Sequence, residues 1–112
     1  MRVLRFTAQG GGAALDPDGG LLLAEADTIR SPVVSSSGSE FLVLWAEPVG
    51  DSETLFLQRL AADGVLLGDE PVAVTQIPTG TPFDLASTDT TVGVADCAQN
   101  DAGTNCIRLS WP

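Results

Sequence analysis

The chain has 112 residues, fifteen of them acidic and five arginine, with no lysine, histidine or tyrosine, giving a formal charge of −10. Without histidine there is no Ser-His-Asp triad or Cys-His dyad, and without lysine there is no Schiff base. An acidic chain with no basic cluster has no electrostatic means of holding phosphate backbones or anionic lipid, so nucleic acid and membrane surfaces are poor partners.

The length allows one domain or less, with a core that buries roughly two-thirds of the unfolded surface. Hydrophobic residues make up 44% of the chain and are interrupted by Gly, Pro and Ser at short, regular intervals, an all-β signature. No run approaches the ~20 apolar residues of a membrane span. The opening residues have a charged head but no apolar core adequate for a signal peptide, so any export signal is expected outside this segment.

In chain order, Arg2–Phe6 reads as a short strand. Gly10-Gly11-Gly12 follows it without a helix or lysine to make a phosphate cradle. Asp16-Pro17-Asp18-Gly19-Gly20 has the alternating carboxylates of a calcium loop, but Leu21-Leu22-Leu23 supplies no further ligands, so a tight turn is the expectation. The central stretch runs from Ser31 to Gly64. Pro32-Val33-Val34 opens a strand, and Ser35 to Ser39 is expected to turn the chain. Glu40 to Ala46 is apolar at every position after Glu40, as in a strand buried on both faces. Pro48 to Ser52 is expected to be a polar loop. Thr54 to Leu60 gives the next strand, with Leu55, Leu57 and Arg59 on one face and Phe56, Gln58 and Leu60 on the other. Asp63-Gly64 is a hairpin signal, and Val65–Leu67 with Pro71–Thr75 forms an irregular fourth strand.

Weaker copies flank this four-stranded, up-and-down unit. Arg2–Phe6 and Asn105–Leu109 resemble Phe56–Leu60, with arginines at 5, 59 and 108, which are expected to share a position and to pair with a carboxylate on a neighbouring strand. Ser31-Pro32 and Thr81-Pro82 lie 50 residues apart, and Thr91–Asp96 takes the place of Phe41–Trp45 with its aromatic residues lost. A period near 50 residues built of four short strands resembles the degenerate β-propeller-like repeats of large secreted bacterial proteins. The Trp-Asp dipeptide, paired glycines and Ser-x-Asp-x-Gly-x-Thr-Trp box of named propeller subfamilies are absent. The expectation is an all-β chain of antiparallel four-stranded units, about two propeller-like blades: residues 1–30 end one unit, 31–80 form a complete one and 81–112 begin another. Closed propellers use roughly four to eight blades, so a piece of a longer repeat domain is the expectation, with copies that assemble as another way to complete it. A single Ig-like or jelly-roll sandwich is the alternative.

In the repeat alignment Cys97 and Cys106 fall near the base of one hairpin, which suits a disulfide worth about 2–3 kcal/mol in an oxidising compartment. Two inert thiols, or half of a metal site, are the other readings, and zinc lacks further ligands. Trp45 and Trp111 are candidates for a ligand platform, with Trp45 read first as core. A glycosidase-like carboxylate pair in the Glu47–Glu53 loop is chemically conceivable but singled out by no spacing, and Asp51-Ser52-Glu53 is expected at a solvated loop tip. The reading is non-enzymatic, without cofactor or metal. It describes a structural or interaction module of a secreted, periplasmic or cell-surface bacterial protein, whose partners are other blades or other proteins. A carbohydrate-binding β-sandwich appended to a hydrolase is the rival, with a glycan as partner.

Overall fold

The computed structural model describes residues 1–3, 5, 15–16, 20–23, 29–88, 91–96 and 108–110. Within them the chain is all-β and every strand pairing is antiparallel. A two-stranded ribbon joins β1 (Arg2–Val3) to β2 (Leu21–Leu22). The middle sheet runs in chain order through β3 (Arg30–Ser37), β4 (Glu40–Val49), β5 (Ser52–Ala61) and β6 (Leu66–Pro78). A third sheet holds β7 (Phe83–Ser87), β8 (Val92–Asp96) and β9 (Arg108–Ser110).

β4 is buried on both sides, as its continuous apolar run implies. Leu42, Leu44 and Ala46 point to one face and Val43 and Trp45 to the other, and none is more than 2% exposed. β5 alternates as expected, with Leu55 and Leu57 beside the first set and Phe56, Gln58 and Leu60 beside the second. The Trp45 indole stacks on Phe56 with centroids 6.1 Å apart and donates its N–H to Glu47 at 2.9 Å. The polar end of the ring is thus satisfied inside the sheet.

Two expected turns are shorter than their composition suggests. Ser35, Ser36 and Ser37 stay in β3, opposite Leu42, Phe41 and Glu40, and only Gly38-Ser39 turns the chain. Ladder pairing, joined by a Ser35–Ser87 hydroxyl contact at 3.2 Å, outweighs the turn preference of serine. Likewise Pro48 and Val49 belong to β4, opposite Glu53 and Ser52, which leaves Gly50-Asp51 as a two-residue turn with Gly50 at φ 64°. The Asp63-Gly64 hairpin forms as expected: Asp63 caps the Val65 amide and Gly64 takes φ 97°. A Cβ at Gly64 would stand 2.7 Å from the Arg5 guanidinium.

β6 is the irregular strand. Between Leu57↔Val72 and Arg59↔Leu67 the residues Gly68 to Pro71 of β6 stand opposite Gln58 alone. Gln58 fills the gap, its amide donating to the carbonyls of Arg59 and Leu67. Bulges and a proline on a strand that has one neighbour in the sheet blunt edge-to-edge association.

The middle sheet packs its Leu42/Leu44/Ala46/Leu55/Leu57 face, with Ile77, against Phe83, Leu85, Val92 and Val94 of the third sheet. Registers relate the two sheets. Shifting by 51 residues turns Val34↔Val43 into Leu85↔Val94 and Ser36↔Phe41 into Ser87↔Val92. The hairpin ends also correspond, since the Thr88 N–H donates to the Thr91 carbonyl where Ser37 faces Glu40. Phe41, Val43 and Trp45 therefore become Val92, Val94 and Asp96. The side of β7–β8 that meets the middle sheet corresponds to the side of β3–β4 turned away from the third. These two sheets stack front to back, facing the same way.

Trp45 is 1% exposed, so Trp45→Ala is expected to cost about 3–5 kcal/mol through the cavity it leaves. Urea unfolding monitored by far-UV circular dichroism measures it, and a loss below about 1 kcal/mol would contradict the packing described.

Candidate functional site

Two features stand out, a polar clamp between sheets and an open sheet face. The clamp begins at a bulge. Arg30 faces Ala46 and Val33 faces Leu44, so β3 spends an extra residue there, and Ser31 sits in the left-handed region at φ 52°. Arg30 then meets Glu53 at the start of β5. Its Nε lies 3.1 Å from both carboxylate oxygens and its Nη2 2.7 Å from Oε1. The same Nη2 donates to the Thr81 carbonyl at 3.0 Å, and the Gly80 amide donates to Glu53 Oε1 at 2.9 Å. Thr81 closes the turn onto Pro78, and the guanidinium lies 5.3 Å from the Phe83 ring centroid. One buried carboxylate thus joins β3, β5 and the link from the middle sheet to β7. The Arg30 guanidinium and the Gly80 N–H hold the Glu53 carboxyl below its ordinary pKa, against the opposing effect of burial.

Glu53 was expected at a solvated loop tip. Its side chain is instead 5% exposed, because the two-residue turn places it inside the ladder where Arg30 can reach it. In the same stretch Glu47 accepts the Trp45 N–H and Glu53 is held by Arg30. Asp16, the first carboxylate of the calcium-like stretch, is likewise committed. It accepts the Arg5 backbone N–H at 2.7 Å and the Arg5 guanidinium at 2.7 Å, and its pKa is lowered by the contact.

The recurrent arginines divide. Arg5 pairs with Asp16, and Arg59 with Glu40 on the neighbouring strand. Arg108 faces Asp96, the counterpart of Trp45, so its register position is that of Phe56 and not that of Arg59. Trp45 has no exposed ring face, which corrects the suggestion that it forms a ligand platform. Trp111, Cys97, Cys106 and Gly10 to Gly12 lie outside the described residues. β8 and β9, which lie on either side of Cys97 and Cys106 in sequence, are antiparallel neighbours. Among the described residues no group of three or more His, Cys, Asp or Glu is placed to hold a metal ion.

The second feature is the outer face of β7–β8. A shallow concavity of about 330 Å³ opens there, lined by Asp84 and Ala86 of β7, Gly93 and Ala95 of β8, and Thr88 and Thr91 just beyond the strand ends. The 51-residue register makes Asp84, Ala86, Gly93 and Ala95 the counterparts of Val33, Ser35, Leu42 and Leu44, on the side of the middle sheet that the third sheet covers. Sequence reading missed Arg30 and Glu53 because they are 23 residues apart and no local pattern marks them. The chain matches no protein-family model, no curated protein and no solved structure.

Glu53→Gln keeps the shape but removes the charge, and is expected to cost about 2 kcal/mol. The pH dependence has a definite sign. A depressed folded-state pKa means the unfolded chain binds more protons in acid, so stability present at neutral pH is lost as pH falls below about 4.5. Glu40 and Asp16 act in the same direction. Urea midpoints between pH 7 and pH 3 should fall steeply for the parent chain and less steeply for Glu53→Gln; equal slopes would contradict the assignment to Glu53.

Proposed function

We propose that the chain is a non-enzymatic structural module whose sheets stack as successive propeller-like units and whose surface serves protein interaction. The observation that carries this reading is the front-to-back packing of two sheets related by a constant 51-residue register. Stacked repeats bury the front of each unit against the back of the next, which gives nearest-neighbour stability without need of a catalytic cleft. The committed state of Glu47, Glu53 and Asp16 supports the same view, since each carboxylate serves packing. A secreted or cell-surface bacterial setting is part of the proposal, resting on the lysine-free composition and on the sequence positions of Cys97 and Cys106.

The glycan-binding rival finds less support. Among the described residues no aromatic ring is exposed: Trp45 is buried, and Phe41, Phe56 and Phe83 are half-buried. Sugar recognition ordinarily needs such a ring at the surface.

Val94 is fully buried between the two sheets. Val94→Ala is therefore expected to cost about 1–3 kcal/mol and to raise amide exchange in β4 and β5 as well as in β8. Hydrogen exchange read by mass spectrometry tests this. Loss of protection confined to β7–β9 would refute the stacked-unit reading, and glycan-array binding by the folded chain would favour the rival.

A further inference from the structure

The Arg30–Glu53 pair lies at one end of the contact between the middle and third sheets. Along β5, Glu53, Leu55 and Leu57 share a face, and cross-strand from Glu53 stands Ile77 of β6, 1% exposed and part of the same apolar contact. The chain leaves β6 at Pro78, passes the pair through Thr79 to Pro82 and enters β7 at Phe83. Gly80 in that link takes φ 85°, with open space where a Cβ would stand, and its N–H ends on Glu53. At the far end of β7 the Ser87 hydroxyl donates to the Ser36 carbonyl at 2.6 Å, a neutral contact that acid leaves alone. Between these ends the contact is apolar, through Phe83, Leu85, Val92 and Val94. The charged fastening of the third sheet therefore sits beside its connecting link, as at a hinge. Arg30, from β3, is the cation that meets Glu53. Glu47 on β4 accepts from Trp45, and Asp51, in the turn before β5, offers its backbone carbonyl to Thr79. From β6 come the uncharged Ile77 and Gln76. On the third sheet Asp96 of β8 is buried cross-strand from Phe83, and Asp84 of β7 is exposed. Glu40, on the face of Leu42, is held by Arg59 at the other end of β4.

We propose that the Arg30–Glu53 clamp is an acid-released latch: protonation of Glu53 lets the third sheet swing off the middle sheet about the Thr79–Pro82 link, while the middle sheet stays folded. A proton on the carboxyl removes the charge that holds the Arg30 fork and weakens the acceptor of the Gly80 N–H. It leaves a part-buried guanidinium without its counter-ion, and swinging open returns that cation to water. The linkage has one sign. Docking holds the Glu53 carboxyl below its ordinary range, so the open form takes up the proton more readily. Docking is therefore strongest at neutral pH and weakens as pH falls below about 4.5, by at most about tenfold per pH unit. The middle sheet keeps its β4–β5 ladder, and Trp45 stays stacked on Phe56 on the face turned away from the third sheet.

Methyl relaxation dispersion on the full chain tests the latch, since hinge motions fall in its μs–ms window. Between pH 6 and pH 3.5 the open population is expected to rise about tenfold. Exchange broadening should grow at Leu44, Leu55 and Val94, on the contact, and stay flat at Val43 and Leu60, on the other face of the middle sheet. Glu53→Gln should show the open form already at pH 6, with no further rise in acid. Arg30→Gln should likewise flatten the profile, and it decides the test if Glu53→Gln does not fold. Glu40→Gln should keep the full rise. A flat profile in the parent chain would overturn the proposal. So would broadening at Val43 and Leu60 in step with Leu44, which marks unfolding of the whole chain. A rise that vanishes in Glu40→Gln, or that survives both Glu53→Gln and Arg30→Gln and so passes the titration to Asp96, would overturn it equally.

Discussion

The arrangement depends on one buried carboxylate. Glu53 receives the Arg30 guanidinium and the Gly80 amide, and through them it fixes where the middle sheet ends and where the chain crosses to β7. An ion pair removed from water is a weak source of net stability, because desolvation offsets much of the attraction. Its value here is directional. The fork of Arg30 serves a carboxylate and the Thr81 carbonyl together, and its flat face covers Phe83. A lysine has no such geometry. Hydrogen bonds thereby hold the link between the sheets, while the area that holds the sheets together comes from apolar residues, chiefly leucine and valine.

The apolar contribution is concentrated in β4 and β5, whose side chains are buried on both faces. A central sheet covered on both sides needs a neighbour on each, and the third sheet supplies one of them. The third sheet is lighter: where β4 carries Phe41, Leu42, Leu44 and Trp45, β8 carries Val92, Gly93, Ala95 and Asp96. Small residues on its outer face produce the hollow, and the large ones of the middle sheet produce the core.

The strands of greatest apolar density were legible in the sequence. Phe41 to Ala46 announced a two-sided strand, Leu55 to Leu60 announced the alternation of faces, and Asp63-Gly64 announced the hairpin. Errors fell where tertiary pairing overrides local preference. Three serines read as a turn, yet they lie in a ladder with β4 and one of them touches Ser87. Glu53 read as solvent-facing because Arg30 is distant in sequence and its orientation depends on a bulge at Ser31. The arginine spacing put Arg108 at the level of Arg59, yet Arg108 stands opposite Asp96, at the position of Phe56.

The central claim is the front-to-back relation of the sheets, which methyl–methyl nuclear Overhauser contacts in solution test most directly. The account predicts contacts from the Val92 and Val94 methyls to the leucines of β4 and β5, and none from the Ala86 and Ala95 methyls to those leucines. Contacts from Ala86 and Ala95 to Leu42 or Leu44 would mean that corresponding faces meet front to front, and the stacked-unit account would be wrong.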